Sequence, residues 1–199
     1  IALKKEQPRE ALNNFMQART LFSEKTEGIE KDSVLVYIAQ CHLMLEEPRE
    51  ALSVLKEYTK DTKIVRLLHI EAYRQLKSWD VGWEYSKQAV QTWNDDIRLR
   101  QEVIFFSSKL GLVLPLQEEL QFCLSSSDLK ENDTLRIAAL LREDGHSDIA
   151  LSFLDVVKHR FFSENVWRSL SILALEQGKW SHAASSLSVL SMYEPSYSL

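Results

Sequence analysis

Apolar residues recur along this chain at steps of three and four, in short blocks separated by polar turns. Between Asp32 and Leu45 they are Leu35, Ile38, Ala39, Leu43 and Leu45; between Pro48 and Tyr58 they are Ala51, Leu52, Leu55 and Tyr58. That spacing gathers them on one side of a helix, so each block predicts an amphipathic helix rather than a strand. The links are short, Glu46-Glu47 here and Asp144-Gly145-His146 later, which forces neighbouring helices to run antiparallel. Pro8 and Pro48 suit the first turn of a second helix, where no intrahelical donor is lost. Glycine in the link suits a left-handed cap ending the first helix. Asp32, Asp61 and Asp133 or Thr134 are expected to cap first helices. Strand-like alternation is not found, and the expected class is all-α.

The blocks repeat. Glu6-Gln7-Pro8-Arg9-Glu10-Ala11-Leu12 returns forty residues on as Glu46-Glu47-Pro48-Arg49-Glu50-Ala51-Leu52, with one substitution. Gly111, Gly145 and Gly178 are 34 and 33 residues apart. One small position runs through Ala11, Ala51, Gly82, Ala150 and Ala183, with Leu116 as its single large member. Such persistent phase is the mark of a tandem array of helix pairs.

The pattern resembles the tetratricopeptide repeat (TPR) family, which carries Trp, Leu-Gly and Tyr in its first helix and Ala, Phe and Pro afterwards. Trp167, Leu170, Ala174, Gly178, Ala183, Leu187 and Pro195 follow that signature, and Ala11, Phe15 and Ala18 match its second helix. Ala72, Tyr73, Trp79, Gly82 and Ala89 follow it in the middle of the chain, as do Ala138, Leu141, Gly145, Ala150 and Leu154 further on. The segment 97–130 departs most, because Pro115 comes late and Leu116 replaces a small residue; a bent or shortened second helix is expected there. The resemblance implies a right-handed superhelical solenoid of antiparallel helix pairs, about five and a half repeats in a single array over 1–199. The division is a half repeat at 1–28, then 32–62, 63–96, 97–130, 131–163 and 164–197. The apolar stripe Leu12, Phe15, Leu21 at one end and the many-sided last helix (Ala183, Leu187, Val189, Leu190, Met192, Tyr193) suggest a fragment of a longer array. Both ends are expected to pack on further repeats or another chain. Six residues beyond the usual spacing, between Phe22 and Asp32, are expected to lengthen a helix or loop.

Composition narrows the job. The 199 residues are 45% apolar and 27% charged, with a net charge of -5. That balance lacks the basic footprint of a nucleic-acid binder, which argues against an RNA-reading helical array. No apolar run reaches a membrane-spanning length. Two cysteines, Cys41 and Cys123, make neither a disulfide framework nor a zinc signature, and the expected compartment is the cytoplasm. Cys123 is expected in the core. His42 and His69 fall in first-helix stripes, His146 at a turn, His159 and His182 on second helices; none forms a ligand pair, and Cys41 and His42 point about 100° apart. No phosphate loop or nucleophile elbow is present, and Ser125-Ser126-Ser127-Asp128 reads as a loop. No metal, cofactor or catalytic activity is expected. Trp79, Trp167 and Trp180 are expected to pack in the core; Trp83 and Trp93 are expected under the next turn or on the convex side.

In the TPR family the first helices line a concave groove that takes an extended peptide or a partner helix. The resemblance places Tyr37, Gln40, Leu43, Met44, Leu67, Glu71 and Arg74 on that side, followed by Arg98, Gln101, Phe105, Arg136, Arg142, Arg168 and Ile172. The Lys/Asn clamp of the family's chaperone-tail binders is replaced here by Val36 with Gln40 and Leu67 with Glu71. Arginine forks bind carboxylates bidentately, so the expected partner is a protein or peptide segment, acidic and apolar. Alternatively the arginines pair with Glu102, Glu143 and Glu164 on a solvated face. The expected function is a non-enzymatic interaction scaffold; the alternatives are a secretion or export chaperone or adaptor for one client, or a helical domain attached to a catalytic module.

Overall fold

A computed structural model describes residues 7–21 and 29–193, without the side chains of 21 and 29–31. Glu6, the Leu21 side chain, Pro195 and most of the extra spacing after Phe22 lie outside the described residues. Eleven helices and no strand are found among those described. The chain divides into two compact units at Asn94–Asp95.

The first unit holds α1 (Pro8–Leu21), α2 (Ile29–Met44), α3 (Pro48–Leu55), α4 (Lys63–Gln75) and α5 (Trp79–Thr92). The second holds α6 (Ile97–Leu110), α7 (Val113–Ser125), α8 (Glu131–Glu143), α9 (Ser147–Val157), α10 (Glu164–Glu176) and α11 (Trp180–Leu190). In the first unit each helix packs on the next in sequence. In the second the pairs are α6–α7, α8–α9 and α10–α11, with α9 also meeting α7 and α10. First helices meet the first helix one pair on: α2 with α4, α6 with α8, α8 with α10. This is a helix-pair solenoid.

The five links between first and second helices are built alike. One residue takes a left-handed φ: Glu46 at 59°, Lys77 at 55°, Gly111 at 67°, Gly145 at 83° and Gly178 at 65°. The next residue's N–H bonds back over the turn, His146 N to the Leu141 carbonyl at 2.8 Å and Lys179 N to Ala174 at 2.9 Å. The same bond joins Glu47 to His42, Ser78 to Tyr73 and Leu112 to Ser107. These are Schellman closures, satisfying carbonyls that the helix end would otherwise orphan. Glycine adopts that conformation freely, whereas Glu46 and Lys77 hold it against the steric preference of an L-residue.

The recurring small position is buried at Ala51, Gly82, Leu116, Ala150 and Ala183. Each unit has its own apolar cluster. The first centres on Leu35, Ile38, Leu55 and Val65, the second on Ile137, Leu141, Leu154 and Leu170. The expectation at Pro115 needs correcting. Helix α7 runs uninterrupted for 13 residues, because Pro115 falls in its first turn, where its missing N–H had no intrahelical partner. Leu116 is accommodated in the second cluster.

The caps also need correcting. Asp32 lies inside α2, which begins at Ile29, and pairs with Lys60 at 2.6 Å. Helix α4 is capped by Thr62, whose hydroxyl accepts from Val65 N, while Asp61 pairs with Arg66. At α8, Asp133 is the third helical residue and accepts from Lys130 N at 3.3 Å; Thr134 is interior. Asp96 and Ser163 cap α6 and α10. Trp167 is buried and Trp79 half-buried, but Trp180 is 70% exposed, since the first residue of α11 sits at the hairpin tip rather than between helices. Trp83 lies 4.6 Å from the Lys87 ammonium. His159 falls just beyond α9.

Candidate functional site

The first-helix side is polar and tied across pairs. In the second unit Gln101 on α6 donates to Asp133 on α8 at 2.9 Å. Arg136 reaches Glu102 at 3.5 Å, with side-chain exposures of 45% and 6%. Ser108 donates to Asp144 at 2.7 Å, and Lys109 pairs with the same carboxylate. Between α8 and α10, Arg142 forks onto both oxygens of Glu176, with Nε at 2.9 Å, and Asn165 donates to Glu131. Partners stand 32–36 residues apart, one repeat, so this ladder locks successive first helices in register. The exposed pairs each contribute about 0–1 kcal/mol. Glu102 and Asp144 are buried carboxylates, and removing their partners would leave uncompensated charge.

Against that ladder the expected groove residues separate. Arg136 and Arg168 pair with Glu102 and Glu164, whereas Arg142 takes Glu176 rather than its neighbour Glu143. Arg98 is exposed and makes no ion pair among the described residues. Gln101 and Phe105 are buried, Phe105 edge-on to Phe106. Ile172 is 39% exposed. It borders a small cleft of about 80 Å³ between α8 and α10, shared with Leu135, Ala138, Ala139, Arg142 and Ser169.

The first unit is arranged differently. Tyr37 stacks on Phe15 of α1 at 5.1 Å, and Leu43 belongs to the core. Gln40 and Leu67 are half-buried and Met44 is exposed. Arg74 lies 3.8 Å from Glu71, and Gln75 donates to Glu71 at 3.3 Å and to the Leu43 carbonyl at 3.0 Å. Gln75 therefore joins α4 to α2, a role its sequence context does not announce.

No protein-family model matches the chain, and no curated protein does. Among solved structures, MamA of MSR-1 aligns with a TM-score of 0.53 at 14% identity, over 85% of this chain and 100% of that one. Two forms of MamA from AMB-1 align at 0.51 and 0.53, with 14% and 13% identity, over 82% and 85% of this chain and 99% and 95% of theirs. The likeness is one of fold. MamA is a TPR-like solenoid, and at this identity the match carries architecture alone.

Titratable chemistry within the described residues is sparse. No group of three or more His, Cys, Asp or Glu is placed to hold a metal among them, and no helix is long and apolar enough to cross a membrane. Both cysteines are buried and free. Burial pushes the Cys41 thiol up, and burial, aided by Glu119, pushes Cys123 up to about 12. Since the thiolate is the nucleophile, the folded protein is expected to react with no equivalent of a thiol-specific disulfide reagent at pH 8 and with two after unfolding. Reaction at native rates close to those of a free thiol would contradict the burial.

His69 is half-buried on α4. Burial holds its pKa below the ordinary value, outweighing the bond from Nδ1 to the Val65 carbonyl at 2.9 Å. A carbonyl only accepts, so Nδ1 carries the proton. The unfolded chain protonates first as pH falls through about 6.5, so this group's contribution to stability rises with pH and is lost on acidification. The melting temperature is expected to drop between pH 7.5 and 5.5 by more in the wild type than in His69→Gln. Equal drops would show that the ring is not held neutral.

Proposed function

We propose that this protein is a non-enzymatic interaction scaffold that holds a segment of another protein along its first-helix face. The observation that carries the reading is the α8–α10 cleft, where Ile172, Leu135 and Ala139 offer an apolar seat beside Arg142. Its size suits one aliphatic side chain, not a cofactor. Arg98, Arg136, Arg142 and Arg168 form the basic margin, and an acidic-and-apolar segment is the ligand. Ladder carboxylates already neutralise Arg136 and Arg142, and Glu164 on the same helix neutralises Arg168, so the apolar contact supplies most of the affinity and the arginines supply orientation. Tyr37, Gln40, Leu67, Glu71 and Arg74 in the first unit, and Phe105 in the second, act as spacing and packing residues of their own first helices. A net charge of -5 gives nucleic acid no electrostatic foothold.

A displayed peptide library selected on the immobilised chain tests this. The expected winners carry one aliphatic residue flanked by Asp or Glu, and Ile172→Asp weakens them at least tenfold while the melting temperature is unchanged. Peptides indifferent to Ile172→Asp, or no enriched peptide at all, would refute it.

A further inference from the structure

We propose that the cleft between α3 and the α4–α5 hairpin is a separate docking site, taking an acidic peptide segment that carries one bulky aromatic or apolar side chain. This does not rest on the α8–α10 reading, since the cleft lies in the other unit, between α3 and the α4–α5 hairpin.

The wall is Arg49, Leu52 and Ser53 on α3 and Lys56 at its C-cap, three, four and seven residues from Arg49 and so aligned on one face. Opposite stand His69 and Tyr73, one helical turn apart on α4, and Tyr85 on α5. Their rings form a continuous floor. His69 stacks on Tyr85 at 5.4 Å with an interplanar angle of 20°, and Tyr73 lies 5.0 Å from Tyr85. The open cleft has a volume of about 350 Å³. That is the lower end of the range for ligand pockets, roughly 300–1,000 Å³, and suits one large side chain with its flanking backbone.

Charge decides the occupant. No carboxylate lines this cleft, and three acids of the same unit are engaged elsewhere. Glu57 accepts two bonds from Arg19, Asp61 accepts two from Arg66, and Asp32 takes Lys60. Arg49 and Lys56, both exposed, have no ion-pair partner among the described residues. Two uncommitted cations at the ends of one helix face, about seven residues apart, bracket the aromatic floor. A peptide with an aromatic residue over His69 and Tyr85 and glutamates on either side satisfies both. His69 Nδ1 is held by Val65, which leaves Nε2 as an acceptor for a backbone N–H of that peptide.

The test uses the full chain and a fluorescein-labelled peptide with Trp between pairs of glutamates, against the same peptide with glutamines and against ATP. Anisotropy is expected to show binding that weakens at least tenfold on the glutamine exchange and at least tenfold in the double variant Arg49→Glu, Lys56→Glu. Both residues are exposed, and a melting temperature within a few degrees of wild type verifies the fold. Ile172→Asp, which tests the other face, is expected to leave this binding unchanged. The proposal is overturned if the peptide does not bind at millimolar concentration, if the double variant binds it as wild type does, if Ile172→Asp abolishes it, or if ATP displaces it with higher affinity.

Discussion

Replacing Leu154 by alanine is expected to destabilise the protein by about 2–5 kcal/mol. Leu154 is 0% exposed on α9 and belongs to the cluster with Leu141, Leu170 and Ala174. Deleting its isobutyl group loses the transfer term and leaves a cavity that these helices, locked by their turns, fill only in part. Because α9 also meets α7 and α10, the loss is felt over three consecutive pairs rather than in one hairpin. Urea titration of the full chain, followed by far-ultraviolet circular dichroism, measures it. A loss under about 1 kcal/mol would mean that α9 does not pack through this face.

One turn earlier, Ala150→Trp is expected to cost roughly 1–3 kcal/mol or more by the opposite route. Ala150 is 0% exposed on α9 and belongs to the same cluster. An indole there must push helices apart or leave its rotamer. The two substitutions touch the same cluster, so their effects are not expected to add. A neutral Ala150→Trp in a thermal melt would remove the helix pairing proposed for that hairpin.

The architecture was open to sequence reasoning for a physical reason. A helix crossing needs a small residue and a Schellman turn needs a left-handed one, so Ala51, Gly82, Ala150 and Ala183 and the glycines at 111, 145 and 178 advertise the period directly. The exceptions follow the same logic. Leu116 is buried in the second cluster all the same, and Glu46 and Lys77 take a left-handed φ without glycine, so the glycine spacing is silent at two of the five turns. Trp180 misled because size and family position say nothing about how far over a hairpin tip the next element reaches. The polar face was less legible. Nearest-neighbour reasoning offers Glu143 to Arg142, but the guanidinium crosses to Glu176 on the next first helix. Likewise Tyr37 is spent on Phe15. The cleft of the first unit was not anticipated, although Arg49, Leu52, Ser53 and Lys56 stand at one-face spacing and His69 and Tyr73 one turn apart. What no local pattern shows is that these two faces meet.

The hairpin tips have a bearing on how such a chain varies. At Gly111, Gly145 and Gly178 an added Cβ meets nothing within 4 Å, so the only filter on a newcomer there is handedness, not room. Extra residues spliced into these bends would project into solvent and leave the buried seams untouched, which makes the tips natural grafting points for epitope tags, dyes or a second module.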